Sequence, residues 1–313
     1  MIDNPQKIII DTDPGIDDTM AILFALRSPE LDVVGLTSVF GNSYVEVTTQ
    51  NALRLVELEG NQHIPVVEGA AQPLVGKAKS MGMHVHGYDG MGNSNPPPPT
   101  GKVLNIPAAQ FIVREVMENP EEITLVPIGP LTNIALALRL EPRIVENVKE
   151  VVIMGGSAYA GGNASPVAEA NIYNDPYAAN IVFSAGWSLT MLGLDATLQW
   201  IMTREYLDDL CSVGNPATDL IRDILPFYQA YLDSVYHSNG DIETHDPSAI
   251  AYLIDSSLFS SKKIPMYVET IGSCAGQTVP DIQHLVGDFP EINVCLNADS
   301  EKLSELYKER LTK

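Results

Sequence analysis

The sequence predicts an α/β fold: a mostly parallel central sheet, open and Rossmann-like, with helices on both faces. Segments of strand and helix character alternate through at least the first two thirds of the chain, and such alternation is typical of parallel strands joined by helical crossovers. Residues 8–10 are three isoleucines, as expected of a buried strand. Polar residues follow several predicted strands, and ligands of such folds bind at the carboxyl ends of strands. We therefore expect the active site there.

The individual elements follow from apolar runs and their flanking turn residues. After residues 8–10, strands are predicted over residues 31–40, 64–67, 123–129, 148–156 and 189–195. Helices are predicted over residues 19–28, 45–59, 106–119, 131–142 and 175–185, the last with Asp175 as N-cap and Pro176 in its first position. Residues 203–244 are predicted to be mostly helical, and residues 292–313 to form a strand and a surface helix. Residues 76–101 are interpreted as a long loop, which either covers a binding site or is a plain surface loop.

Composition limits the function classes. The 313 residues are 45% hydrophobic, and without a visible linker or repeat they predict a single domain, residues 1–313. The 40 acidic and 18 basic residues give a net charge of -22, which argues against nucleic-acid and anionic-membrane partners. Three scattered cysteines and the absence of a signal-like or membrane-spanning apolar run predict a cytoplasmic protein. We also expect a homodimer or homotetramer.

Four aspartates are crowded into the segment KIIIDTDPGIDD, namely Asp11, Asp13, Asp17 and Asp18. Carboxylates at the end of a buried strand repel one another unless a positive charge joins them, and a hard divalent cation with oxygen ligands would do so. The alternative is helix capping by Asp17 or Asp18. Capping accounts for one or two acids, so four of them favour a metal site.

A second polar segment, residues 155–171, begins with two glycines and carries Asn163, Glu169 and Asn171. Glycines let the backbone approach a ligand, and amide and carboxylate groups suit adjacent sugar hydroxyls. The alternative is a capped turn with solvated polar side chains. From the residues alone, both interpretations stand.

A third segment places His245 and Asp246 directly before Pro247, the predicted first residue of an apolar helix. Asp246 alone would be an N-cap, and His245 is either a proton donor or a surface histidine. The helical segment before them carries Tyr228, Tyr231, Tyr236 and His237. An aromatic stripe of this kind packs in a core or forms a platform for a substrate.

Taken together, the motifs DTDPGIDD, GN, HVHGYDGMG, IGPLTNIA, VVIMGG, VAEANIYNDPYAA and HDPSAIAYLID, in this order, resemble the inosine-uridine-preferring nucleoside hydrolase family. The resemblance covers nearly the whole chain. It implies hydrolysis of the N-glycosidic bond of purine or pyrimidine ribonucleosides to ribose and free base, with inversion, an oxocarbenium-like transition state, a bound Ca²⁺ and a role in nucleoside salvage. Residues 231–244 depart from the family pattern, which leaves the base preference open.

The resemblance also implies a role for each matching residue. Asp17 matches the general base that activates the attacking water, His245 the acid that protonates the leaving base, and Asp11 a supporting acid. The Ca²⁺ ligands would be Asp13, Asp18, Asp246 and the backbone carbonyl of Ile128. Substrate contacts are assigned to Asn42, His86, Met154, Asn163, Glu169, Asn171 and Asp246, with Tyr231, Tyr236 and His237 on the side of the base.

Two other functions compete with this interpretation. Asp11-Thr-Asp13 after an apolar strand resembles the start of a haloacid-dehalogenase-type phosphatase, but Gly15 stands where that motif usually has Thr or Val. A non-catalytic, calcium-dependent nucleoside- or ribose-binding protein could share the fold. Pure binding requires neither Asp17 nor His245, so a hydrolase is favoured.

Overall fold

The structure is a computed structural model that describes residues 4–78 and 82–313. Within these ranges the strands are β1 (Gln6–Thr12), β2 (Leu31–Ser38), β3 (Val66–Val67), β4 (Ile123–Pro127), β5 (Glu150–Met154), β6 (Leu189–Leu192), β7 (Ile201–Met202), β8 (Ile242–Glu243), β9 (Phe259–Val268), β10 (Thr278–Pro280) and β11 (Glu291–Ala298). The helices are α1 (Ile16–Leu26), α2 (Val45–Leu58), α3 (Met83–His86), α4 (Ala108–Glu118), α5 (Thr132–Leu140), α6 (Ile144–Asn147), α7 (Ala170–Asn174), α8 (Pro176–Phe183), α9 (Leu194–Thr197), α10 (Arg204–Cys211), α11 (Pro216–Tyr236), α12 (Pro247–Ile254) and α13 (Ser300–Leu311).

One large sheet organises the described part of the chain, with nine strands in the order β10-β9-β11-β6-β5-β4-β1-β2-β3. The seven strands from β11 to β3 pair in parallel, and at one edge of this sheet β9 pairs antiparallel with both β11 and β10. The predicted open, mostly parallel α/β fold is thus confirmed. Because the first and the last strand of the chain share this sheet, we propose that residues 1–313 form a single domain.

Strand β1 is buried on both faces, which explains its unbroken apolar run. Ile8 and Ile10 belong to the core cluster that contains Met20 of α1, whereas Ile9 belongs to the opposite cluster with Phe111 of α4. Alternate residues of a strand point to opposite faces, so each face of the sheet receives its own helical layer. The predicted helices on both faces are confirmed.

The sequence pattern missed two features of the sheet. The antiparallel pair β9 and β10 follows α12 with no crossover helix between the two strands. The predicted strand over residues 189–195 ends at Leu192, and Asp195 lies in the short helix α9. Of the predicted covering loop, residues 79–81 lie outside the described part, and α3 occupies residues 83–86. None of the helices in the described ranges is both long and apolar enough to cross a membrane.

Asp175 joins three segments beneath the site, in addition to its predicted role as N-cap of α8. Its Oδ1 accepts the N–H of Ala178, 3.0 Å away. Its Oδ2 accepts the backbone N–H of Leu74 and the hydroxyl of Thr132, both at 2.8 Å. Because Asp175 is fully buried, its loss leaves buried donors without a partner.

We expect Asp175→Ala to lower the free energy of unfolding by about 2–4 kcal/mol, the cost of a lost cap together with unsatisfied buried donors. Asp299→Ala is the matched control, since Asp299 caps α13 near the surface and, among the described residues, its side chain bonds to Lys302 alone. It should cost about 1 kcal/mol. Urea unfolding of both variants measures the difference, and equal losses would contradict the joining role of Asp175.

Candidate active site

A cavity of about 260 Å³ opens at the carboxyl ends of β1, β2, β4 and β5, close to the lower end of the roughly 300–1,000 Å³ common for small-molecule sites. Its walls come from loops after these strands and from α3, α7, α11 and the start of α12. Most of the predicted site residues line it: Asp17, Asn42, His86, Ile128, Met154, Asn163, Glu169, Asn171, Tyr231, Tyr236, His245 and Asp246.

At the floor of this cavity, carboxylate oxygens of Asp17, Asp18 and Asp246 lie within 4.8 Å of one another. Burial raises the pKa of both Asp17 and Asp18 to about 6, and the charge of Asp17 adds to the effect on Asp18. Burial, followed by the charges of Asp17, Asp18 and Asp13, holds the pKa of Asp246 well above its usual range. Ionisation of all the carboxyl groups in this cluster is therefore unfavourable, and a bound cation would reduce the repulsion between them.

Asp13 lies beside this cluster with one free oxygen. Its Oδ2 accepts the backbone N–H of Asn42 at 2.7 Å, whereas Oδ1 is buried without a hydrogen-bond partner in the described residues. A Cβ on Gly129 would lie 2.5 Å from Oδ1, and a Cβ on Gly41 would lie 2.0 Å from Oδ2. Only glycine at these positions leaves room for the carboxylate, and the unpartnered oxygen fits a ligand of a cation.

Hydrogen bonds at the N-terminus of α1 account for Asp17 and Asp18 and not for Asp13 and Asp246. Asp18 Oδ2 accepts the N–H of Gly15 at 3.0 Å and Oδ1 accepts the hydroxyl of Thr12 at 2.5 Å. Asp246 occupies the N-cap position of α12, yet its side chain makes no capping hydrogen bond. The carboxylate of Asp246 is thus left for the cavity, as a ligand role requires.

Asn171 and Glu169 form another part of the cavity wall. The Asn171 amide donates to the carbonyl oxygens of Ile128 and Met154, at 2.9 and 3.1 Å. Glu169 caps α7, because its carboxylate accepts the N–H groups of Asn171, Ile172 and Gly156. Burial raises the pKa of Glu169 to about 7.

The glycine-rich loop between β5 and α7 is shaped by a residue outside the cavity. The Asp195 carboxylate accepts the N–H groups of Ala158, Tyr159 and Ala160, at 2.6 to 3.1 Å. Asn163 Oδ1 accepts the N–H of Ala170 at 3.0 Å. Asp195, the last residue of the predicted strand over residues 189–195, therefore supports the loop and does not line the cavity.

Two histidines face the cavity from different elements. His245 Nδ1 lies 2.9 Å from the hydroxyl of Thr197 in α9, and burial lowers the pKa of His245 to about 4. His86 Nδ1 accepts the backbone N–H of Ile16 at 3.1 Å, and its ring stacks on Tyr228 with centroids 5.7 Å apart. Burial lowers the pKa of His86 to about 4 as well.

The structure does not bring every predicted residue to the cavity. His237 ends α11 in the left-handed conformation, is exposed and lies outside the lining residues. Conversely, the sequence did not point to Thr197, to Asn174 or to Glu243. Asn174 and Glu243 line the cavity, and Asn174 has a buried Oδ1 without a hydrogen-bond partner in the described ranges. The repeat of Asn three positions after Asn171 in α7 is the signal that would have indicated Asn174.

Comparison with known proteins decides the family. The family model described as inosine-uridine preferring nucleoside hydrolase matches residues 8–305. The chain belongs to this family. It is 44% identical to the inosine-uridine preferring nucleoside hydrolase of Leishmania major, over 90% of this chain and 89% of that protein. It is 40% identical to uridine nucleosidase 1 of Arabidopsis thaliana, over 98% of this chain and 94% of that protein. The solved structure of the plant nucleoside hydrolase PpNRh1 superposes with a TM-score of 0.95 at 38% identity, covering 99% of both chains.

Membership in this family confirms the prediction that the chain is an enzyme that hydrolyses the N-glycosidic bond of ribonucleosides. It excludes the two competing functions, a phosphatase and a non-catalytic binding protein. The identity of the cation, the role of each side chain and the preferred base are matters for the proposal below.

The raised pKa values of the aspartate cluster predict how cation-free protein responds to pH. A carboxyl whose pKa is about 6 in the folded protein and roughly 3.9 when unfolded binds more protons when folded. Its stabilising effect is therefore present below about pH 4 and is lost as pH rises through 6. Chelator-treated protein should melt at a lower temperature at pH 7.5 than at pH 5.

Added Ca²⁺ should raise the melting temperature more at pH 7.5 than at pH 5, because the aspartates must be ionised to bind it. Differential scanning calorimetry at both values of pH measures this. The variant Asp18→Asn, which replaces one of the expected ligands, should reduce the response to Ca²⁺. A Ca²⁺ effect that is independent of pH would contradict the assignment.

Proposed function

We propose that this enzyme is a Ca²⁺-dependent ribonucleoside hydrolase that inverts the anomeric centre and passes through an oxocarbenium-like transition state. The observation that carries the proposal is the cluster of buried aspartates at the floor of a cavity whose walls also hold two neutral histidines. The lining of this cavity combines carboxylates and amides with tyrosines. The ribose of a nucleoside suits the carboxylates and amides, and its nucleobase suits the tyrosines.

The cation would be held by Asp13, Asp18, Asp246 and the carbonyl of Ile128. These donors are all oxygen, which favours Ca²⁺ over Zn²⁺. The unpartnered Oδ1 of Asp13 and the uncapped carboxylate of Asp246 support this set. When bound, Ca²⁺ would lower the pKa of a coordinated water and orient the ribose hydroxyls.

Asp17 is proposed as the general base. Its carboxylate lines the cavity within 4.8 Å of Asp18 and Asp246, and Oδ1 accepts the N–H of Asp18 at 3.2 Å, which fixes the rotamer. Burial raises its pKa to about 6, near the operating pH at which a general base is most effective. Asp17 would take the proton from the water that attacks C1′.

The ribose hydroxyls would bond to Asn42, Asn163, Glu169, Asn171 and Asp246, with Met154 against the sugar ring. The Asn171 amide is already oriented by the carbonyls of Ile128 and Met154, and Asn42 Nδ2 donates to Asp18 Oδ2 at 2.9 Å. These contacts fix the rotamers before substrate binds. Carboxylate and amide oxygens around the ring would also stabilise positive charge that develops at C1′.

His245 is proposed as the acid for the departing base. Burial lowers the pKa of His245 to about 4, so the ring is neutral in the free enzyme and would have to take up a second proton, as imidazolium, before it protonates the leaving base. If the Thr197 hydroxyl donates to Nδ1, the remaining proton is on Nε2. His86 has its Nδ1 occupied by the N–H of Ile16 and would present Nε2–H on the side of the base, between Tyr228 and the substrate.

We further propose that the enzyme acts in the cytoplasm on free purine or pyrimidine nucleosides, as part of nucleoside salvage. The net charge of -22 argues against nucleic-acid or membrane partners. A homodimer or homotetramer is proposed as the working form. Tyr231 and Tyr236 line the end of the cavity that would receive the base.

The test of the proposal is a reducing-sugar assay with inosine and uridine in phosphate-free buffer. Ribose and free base should form without phosphate. Activity should disappear after chelation and return with Ca²⁺, since the aspartates repel one another without a cation. Formation of ribose 1-phosphate that depends on added phosphate, or full activity after exhaustive chelation, would refute the proposal.

The variants Asp17→Asn and His245→Ala should fail differently. Asp17 acts on water, which every substrate needs, so Asp17→Asn should lower kcat at least about 100-fold for inosine and p-nitrophenyl riboside alike. His245→Ala should lose about 100-fold or more on inosine and far less on the activated riboside, whose leaving group needs no proton. Equal losses on both substrates in His245→Ala would remove His245 from the role of acid.

A further inference from the structure

Glu243 is a carboxylate in the cavity lining that the proposed mechanism does not use. Glu243 of β8 lines the cavity together with Tyr228, Tyr231 and Tyr236. It is half-buried, and its side chain has neither a hydrogen bond nor an ion pair within residues 4–78 and 82–313. A carboxylate in such a place has a free acceptor directed at whatever fills the cavity.

Local geometry directs Glu243 to the same side as His245. Strand β8 covers Ile242 and Glu243, and the next N–H, of Thr244, donates to the carbonyl of Trp200 at 2.9 Å; alternate residues of a strand point to the same side. Ile242 and Thr244 are buried in the protein, whereas Glu243 and His245 both reach the cavity. The negative charge of Glu243 also contributes, after burial and the charge of Asp17, to raising the pKa of Tyr228.

We propose that Glu243 recognises the nucleobase by accepting a hydrogen bond from a ring N–H. This rests on the proposed function. A carboxylate has acceptors only, so it favours bases with a lactam edge, such as uracil and hypoxanthine, and disfavours cytosine and adenine, whose corresponding ring nitrogen carries a lone pair. A site that leaves a polar group unpaired rejects the wrong substrate strongly.

The lining residues explain why a carboxylate would decide the preference. Besides Glu243 and the tyrosines, the cavity lining includes Leu198, Leu232 and His84, and no Lys or Arg of the described chain lines the cavity. The tyrosine hydroxyls both donate and accept, so they do not distinguish a lactam N–H from a lone pair, and His86 is proposed to present an N–H donor. Glu243 would be the acceptor that selects a base with a ring N–H.

The experiment compares kcat/KM for uridine, N3-methyluridine and cytidine, with p-nitrophenyl riboside as a substrate that has no ring N–H. Glu243→Ala should lower the ratio of uridine to N3-methyluridine at least about 10-fold, the worth of a hydrogen bond to a charged group. The loss should appear mainly in KM, because the contact is made in the ground state and the transition state alike. Activity on uridine should also fall relative to activity on p-nitrophenyl riboside.

Two further variants complete the test. In Glu243→Gln the side chain has nearly the same shape and gains a donor, so this variant should prefer uridine over cytidine less than the wild type does. Glu205→Gln removes the same charge from the exposed first turn of α10 and should keep all the ratios of the wild type. If Glu243→Ala lowers uridine and N3-methyluridine equally, or the wild type does not prefer uridine to either analogue, the inference is overturned. If the wild type hydrolyses no nucleoside at all, the proposed function fails instead.

Discussion

The repulsion between buried aspartates is the constraint on which this site depends. Asp13, Asp17 and Asp18 come from the turn after β1, and Asp246 comes from the start of α12, far along the chain. Helices α1 and α12 bring them together because both belong to the same apolar core. Burial of apolar surface thus supplies the free energy that holds like charges within a few ångströms. A bound cation would offset part of this repulsion, so cation binding would stabilise the folded protein.

The loops around the cluster are held by carboxylates that accept several backbone N–H groups each. Asp195 holds the loop after β5, Glu169 begins α7, and Asp175 ties that region to the loop after β3. Each bond of this kind satisfies a donor that would otherwise be buried alone. The walls of the cavity therefore keep their shape through hydrogen bonds between these carboxylates and the backbone.

The sequence predicted the parts of the site that lie within a few residues of one another. The aspartates after β1, the pair His245 and Asp246, and the alternation of strands and helices are all local patterns, and the structure contains them. The sequence did not predict Thr197 and Glu243, because their roles depend on which residues lie next to them in the folded protein. Similarly, β9 and β10 gave no periodic signal, since β9 has exposed serines and lysines in its middle and lies near the sheet edge.

The hydrogen bond between Ile16 and His86 holds the part of the cavity wall that α3 forms. The first N–H groups of a helix have no partner within the helix, and α1 obtains one from a histidine that belongs to α3. Because Nδ1 accepts this bond only while it carries no proton, the contact fastens α3 to α1 when the imidazole is neutral. Protonation of Nδ1 would remove this acceptor and place a positive charge 3.8 Å from Asp17 Oδ1. The contact between α3 and α1 therefore depends on a neutral imidazole, which burial favours by lowering the pKa of His86 to about 4.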